Sequence, residues 1–186
     1  MNQRFHDQEL LDRLSELPRS SHEFTAFRVT GIATDPLAAS INGGRWAPQA
    51  QGDVSFPVLY TSLNRDGAIA EIVSFILGLT PIPSHRPLKL SRLAISTTQT
   101  VRLSRTELEL LGVDFGNYGT RDYRVTQNIG AALAFLGVDS LVSPSARWDC
   151  ENLTIFAGNH GWDNRLELVE SVEFEWRTWA EENRFI

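Results

Sequence analysis

From residue 66 to residue 79 nearly every side chain is apolar or small, and yet the stretch contains a glutamate, Glu71. Ile69, Ile72, Val73, Phe75, Ile76 and Leu77 fall on every side of a 3.6-residue period, so the segment predicts a helix apolar almost all round, and such a helix is buried. Asn64 or Asp66 is available as its N-cap. On the stripe flanking Glu71 sit Gly67, Ala68, Ser74, Phe75 and Gly78, mostly small residues that let another chain segment or a ligand come close. A carboxylate in that setting is either paired with an arginine for structure or held at a cleft for chemistry.

The 186 residues fit one domain with one sizeable core, and a hydrophobic fraction of 42% with 22% charged residues is that of a folding chain. The net charge of -6 argues against a broad nucleic-acid footprint, which needs clustered cations. Lys89 is the only lysine, so the basic residues are almost all arginine. Either composition bias explains this, or some of these planar forks line an anionic pocket. The single cysteine, Cys150, excludes an internal disulfide and fits a reducing compartment, so the expected location is the cytoplasm. Neither a secretory signal nor a run of eighteen apolar residues is found. His6, His22, His85 and His160 lack zinc-site spacing, which predicts no metal.

Leu10, Leu11, Leu14 and Leu17 recur at helical spacing up to Pro18, giving a short amphipathic helix. Residues 24–29 read as a strand, 31–56 as a long Gly/Pro/Asn-punctuated loop and 57–61 as a second strand. Strands are expected at 88–95 and 100–103, and a short helix at 104–111 stopped by Gly112. Thr120 is the expected cap of a long helix ending at Leu136 and Gly137. Strands at 140–142 and 152–156 flank Ser143-Pro144-Ser145-Ala146-Arg147, and Leu166, Leu168, Val172, Phe174 and Trp176 suggest a half-buried strand. Helices and strands mix without regular alternation, so the class is α+β: a single domain of mixed and antiparallel sheet flanked by helices.

Further residues stand out for chemistry. Arg28 projects from its strand opposite to Phe27 and Val29, toward solvent or toward a polar cleft. In Asn42-Gly43-Gly44-Arg45-Trp46 two glycines allow a sharp turn or close approach to a ligand, and Arg45 supplies an anion fork. Tyr60 ends a strand just before the Glu71 helix, where its phenol reaches the same cleft or caps the edge of the core. Ser145 has no histidine motif to serve it as a general base, which argues against a nucleophilic serine. Neither a Gly-x-Gly-x-x-Gly turn nor a Gly-Lys-Ser/Thr phosphate loop is present, so a dinucleotide would bind as substrate in a cleft.

Phe27-Arg28-Val29, Gly43-Gly44-Arg45-Trp46, Leu59-Tyr60-Thr61-Ser62, Ala70-Glu71, Thr126-Gln127-Asn128-Ile129-Gly130 and Pro144-Ser145-Ala146-Arg147 with Asn152-Leu153, in this order, resemble the RES domain. This family supplies the toxin of RES-Xre toxin-antitoxin systems and is named for an arginine, a glutamate and a serine. The resemblance covers about residues 24–156 and leaves 163–186 without a matching motif; that tail reads as an extra strand, a dimer contact or an antitoxin surface. It divides the chain into a helical appendage (1–23), the RES domain (24–158) and an extension packed on it (159–186).

The resemblance implies an ADP-ribosyltransferase-like fold and an enzyme that cleaves NAD+ between nicotinamide and ribose, depleting cellular NAD. It implies catalytic roles for Arg28, Glu71 and Ser145, and substrate-binding roles for Arg45, Tyr60 and Arg147. NAD+ is then a substrate rather than a cofactor, with water or inorganic phosphate as acceptor. The implied partner is an Xre-family antitoxin, with neither nucleic acid nor membrane bound by this chain and a homodimer within the complex left open. Transfer of ADP-ribose to a protein, and a silent RES-fold binding module, are the alternatives.

Overall fold

The computed structural model describes residues 7–49 and 56–186; His6 and the start of the N-terminal appendage lie outside them. Its elements in chain order are α1 (Gln8–Ser15), β1 (Ser20–Gly31), β2 (Val58–Ser62), α2 (Arg65–Leu77), β3 (Leu88–Arg102), α3 (Arg105–Leu110), α4 (Arg124–Phe135), β4 (Ser140–Pro144), β5 (Glu151–Phe156), β6 (Leu166–Phe174) and α5 (Trp176–Glu182).

The six strands are ordered β1-β2-β5-β4-β3-β6, and β1 also pairs with β3, so five strands run round a closed circuit with β6 added outside it. Only β3 and β4 are parallel; every other pair is antiparallel. Ala26, Leu59, Leu93, Ile95, Val142, Leu153 and Ile155 form one buried cluster to which each circuit strand contributes. A second cluster joins α1, α3 and α4 to the sheet through Leu14, Val101, Leu108, Ile129 and Phe156. A third sets α2 and α5 against Leu88 and Leu90 of β3. The chain is thus a single α+β domain.

α2 is the expected buried helix, capped by Asn64, whose Oδ1 accepts from Gly67 N at 2.9 Å. Asp66 lies in the first turn and takes the indole N–H of Trp179 at 3.0 Å. The helix is not covered all round: Phe75 is 44% exposed, with the guanidinium groups of Arg86 and Arg121 over its ring.

Four expectations are corrected. Residues 88–102 form one strand, not two, because Thr97 and Thr100 join a buried hydroxyl chain to Ser140 while Asp139 Oδ2 accepts from Thr98 N and Gln99 N. Thr120 does not cap α4: its hydroxyl donates to the Asn117 carbonyl in the preceding turn, and the N-cap position, Tyr123, makes no side-chain cap bond. Trp176 belongs to α5, not to the last strand, and is fully buried beneath it. β6 is mostly exposed rather than half buried, since its one strand neighbour is β3.

Candidate active site around Glu71

Strand register brings the ends of three strands into one row with the body of β1: Phe27 of β1 lies opposite Ser62 of β2, Ser62 opposite Asn152 of β5, and Asn152 opposite Ser143 of β4. Arg28 is one residue along from that row and Ser145 two. α2 comes down onto it because position 67 is glycine. A Cβ there would stand 2.5 Å from the Cys150 sulfur and 2.6 Å from the Ser62 hydroxyl. One helical turn on, Glu71 faces the same way.

Glu71 is held through one oxygen. Its Oε1 accepts from the Ser145 hydroxyl at 2.9 Å and from the Asn152 amide at 2.9 Å. Among the described residues no donor reaches Oε2. The Ser145 hydroxyl itself accepts from Arg147 N at 3.1 Å, and Ser145 N donates to the Cys150 carbonyl at 2.9 Å, which closes the turn between β4 and β5. That turn is braced from outside by Trp148, whose ring lies 5.5 Å from Trp179 of α5 and 6.2 Å from Phe185. Burial pushes the Cys150 thiol up, with hydrogen bonds to Ser62 and Ser145 opposing and the charges of Glu71 and Asp149 adding to the rise.

A second group surrounds Arg45. The segment bearing it packs directly on α4 because position 130 is glycine, where a Cβ would overlap the Trp46 carbonyl oxygen. Gln127 donates to the Gly44 carbonyl at 2.9 Å, and the Tyr60 hydroxyl accepts from Trp46 N at 3.2 Å. The Arg45 guanidinium then lies over two rings, 4.2 Å from the centroid of Tyr118 and 4.8 Å from that of Tyr123. No carboxylate pairs with it among the described residues. Tyr118 ties the two groups together: its hydroxyl donates to the Pro144 carbonyl at 2.9 Å, beside Ser145, and its phenol feels the charge of Glu71. Burial pushes both Tyr60 and Tyr118 up to about 12, so both phenols are neutral.

Arg28 takes a different position from the other expected residues. Its Nη1 donates to the carbonyls of Pro36 at 2.8 Å and Ala38 at 2.7 Å, pinning the segment after β1, and no hydrogen bond or ion pair joins it to Glu71 or Ser145 among the described residues. Burial lowers its pKa, with Asp35 opposing. Arg147 contributes its backbone N–H to Ser145, while its guanidinium rests beside Gly119. Asn152, Tyr118 and Tyr123 were not singled out as site residues from sequence. Asn152 stood within a recognised motif, whereas Tyr118 lies in an aperiodic stretch and Tyr123 in the first turn of the expected helix, where neither gives a signal of its own. Among the described residues no cluster of three His, Cys, Asp or Glu could hold a metal.

The RES domain family model matches residues 5–177. The chain belongs to the RES domain family. A solved structure with the same fold is a chain of the M. tuberculosis MbcT-MbcA toxin-antitoxin complex, with a TM-score of 0.77 at 20% identity, over 94% of this chain and 97% of that one. No curated protein matches. The RES domain match takes in β6 and the first residues of α5 as well as the Glu71 site. No helix among the described residues is long and apolar enough to cross a membrane.

Proposed function

We propose that this RES domain is the toxin of a toxin-antitoxin pair, acts in the cytoplasm, and cleaves NAD+ at the bond between nicotinamide and ribose. Family membership and the fold shared with a toxin-antitoxin complex support the first part. The observation that carries the second is Glu71, with Oε1 fixed by two donors and Oε2 free of donors among the described residues.

In the reaction the C–N bond breaks, its electron pair leaves with neutral nicotinamide, and positive charge spreads over the ribose carbon and ring oxygen. A fixed carboxylate stabilises that charge best where water is excluded. Oε2 faces the sugar and takes the proton released when water or phosphate adds to the same carbon. Ser145 and Asn152 keep the carboxylate aimed. Arg45, uncompensated and stacked on its tyrosines, holds the diphosphate, and Arg28 adds the donors it does not spend on Pro36 and Ala38. Tyr60 seats the Arg45 segment and offers its partly exposed ring to nicotinamide. Arg147 braces Ser145. An Xre-family antitoxin is the proposed inhibitor.

Purified protein incubated with NAD+ should release nicotinamide, and Glu71→Gln should lower the rate by about two to three orders of magnitude without unfolding. Mass spectrometry with and without phosphate identifies the acceptor. A wild-type protein that leaves NAD+ intact would refute the reaction.

A further inference from the structure

A cavity of about 630 Å³ has Arg45 and Tyr118 in its lining. The loop between α3 and α4 forms one wall, with Val113, Asn117 and Thr120, and the first turns of α4 form the other, with Val125 and Asn128. Tyr118 links this cavity to the Glu71 site: Arg45 lies over its ring, its hydroxyl donates to the Pro144 carbonyl beside Ser145, and its phenol feels the charge of Glu71.

The charges inside the cavity are largely spoken for. Asp122 is bound by Arg124 through contacts of 2.9 and 2.7 Å, and Asp114 accepts from Gly116 N at 2.8 Å and the Asn117 amide at 2.6 Å. That leaves Arg45, over the Tyr118 ring, as the lining cation with no carboxylate partner among the described residues. The remainder is a lining of apolar Val113 and Val125 with polar Asn128, whose amide makes no hydrogen bond to the described residues. Val125 and Asn128 are three apart on α4 and therefore share a face, and both are exposed.

Resting on the proposed reaction for its orientation, we infer that this groove binds the adenosine half of the dinucleotide. Arg45 receives the diphosphate at the mouth, Val113 and Val125 pack against the purine, and Asn128 reads its edge. An asparagine amide suits adenine, donating to N7 and accepting from the N6 amino group, while guanine offers two acceptors there. Size agrees with the assignment, because a groove of this volume holds a nucleotide.

Calorimetry with AMP, GMP and ADP-ribose tests the groove independently of any cleavage. AMP should bind more tightly than GMP, and ADP-ribose more tightly than AMP. Asn128→Ala and Val125→Glu should each weaken AMP and ADP-ribose by about tenfold or more. Neither variant should change nicotinamide release from nicotinamide mononucleotide, which lacks the adenosine half. AMP binding that is absent, or equal in wild type and both variants, overturns the inference. AMP binding that is sensitive to Asn128 in a protein that leaves NAD+ intact would uphold the groove while refuting the reaction.

Discussion

The Ser145 hydroxyl donates to Glu71 Oε1 at 2.9 Å, although 74 positions separate the two residues in the chain. Asn152 reaches the same oxygen from the next strand. Two donors on one carboxylate oxygen fix the plane of the group and leave its other oxygen without a donor among the described residues.

Removing one of those donors should show in turnover rather than in binding. Asn152→Ala is expected to lower kcat about ten- to a hundredfold with KM for NAD+ little changed, because the carboxylate loses its aim while Arg45 keeps its hold on the diphosphate. Steady-state kinetics on the purified variant decides this. A rise in KM at constant kcat would assign Asn152 to substrate binding.

Gly130→Ala should be severe for a helix interior. The added methyl meets the Trp46 carbonyl, so the segment carrying Arg45 must move or α4 must shift, at a cost of about 2–3 kcal/mol. Gly137→Ala, where space is open but φ is +78°, should cost only about 1–2 kcal/mol through backbone strain. Chemical denaturation ranks the two, and activity should fall only in the first.

For Arg28 the readout is local. Arg28→Ala removes two charge-assisted bonds to Pro36 and Ala38, so amide exchange across residues 31–49 should quicken with about 2–3 kcal/mol lost from their protection. Hydrogen exchange with mass spectrometry follows it. Unchanged exchange in that segment would remove the anchoring role.

Alkaline pH should weaken the fold through the phenols. Tyr60 and Tyr118 titrate near 12 when folded and near 10 when unfolded, so the unfolded chain releases protons that the native one keeps. Their contribution is complete below about pH 10 and is lost as pH rises toward 12. Denaturant midpoints measured across that window should decline, and Tyr60→Phe with Tyr118→Phe should flatten the decline.

The elements most legible in the sequence were those with a local cause. α2 announced itself by apolar content and a cap at Asn64 or Asp66, of which the structure uses Asn64, and α3 by its Gly112 stop, to which the structure adds a reciprocal capping box of Ser104 and Glu107. Glu71 and Ser145 were legible as residues, and their contact follows from strand register that no local pattern encodes. Tertiary partners decided the rest. Buried hydroxyls kept β3 continuous across 96–99, and Trp176, alternating with its neighbours as a strand residue would, turned into α5 because it packs against α2. Tyr118 was invisible beforehand, as its importance lies in reaching Arg45 and Pro144 at once.

β6 has a consequence for how the protein behaves at high concentration. As the outermost strand it presents unpaired backbone groups along with half-exposed Leu168, Val169 and Val172, a combination prone to growing by addition of further chains. Glu167, Glu170 and Glu173 punctuate that strand. Arg165 pairs with Glu167 and Arg92 with Glu170, so the rim carries opposite charges side by side, and two molecules meeting there would have to strip the water from them first.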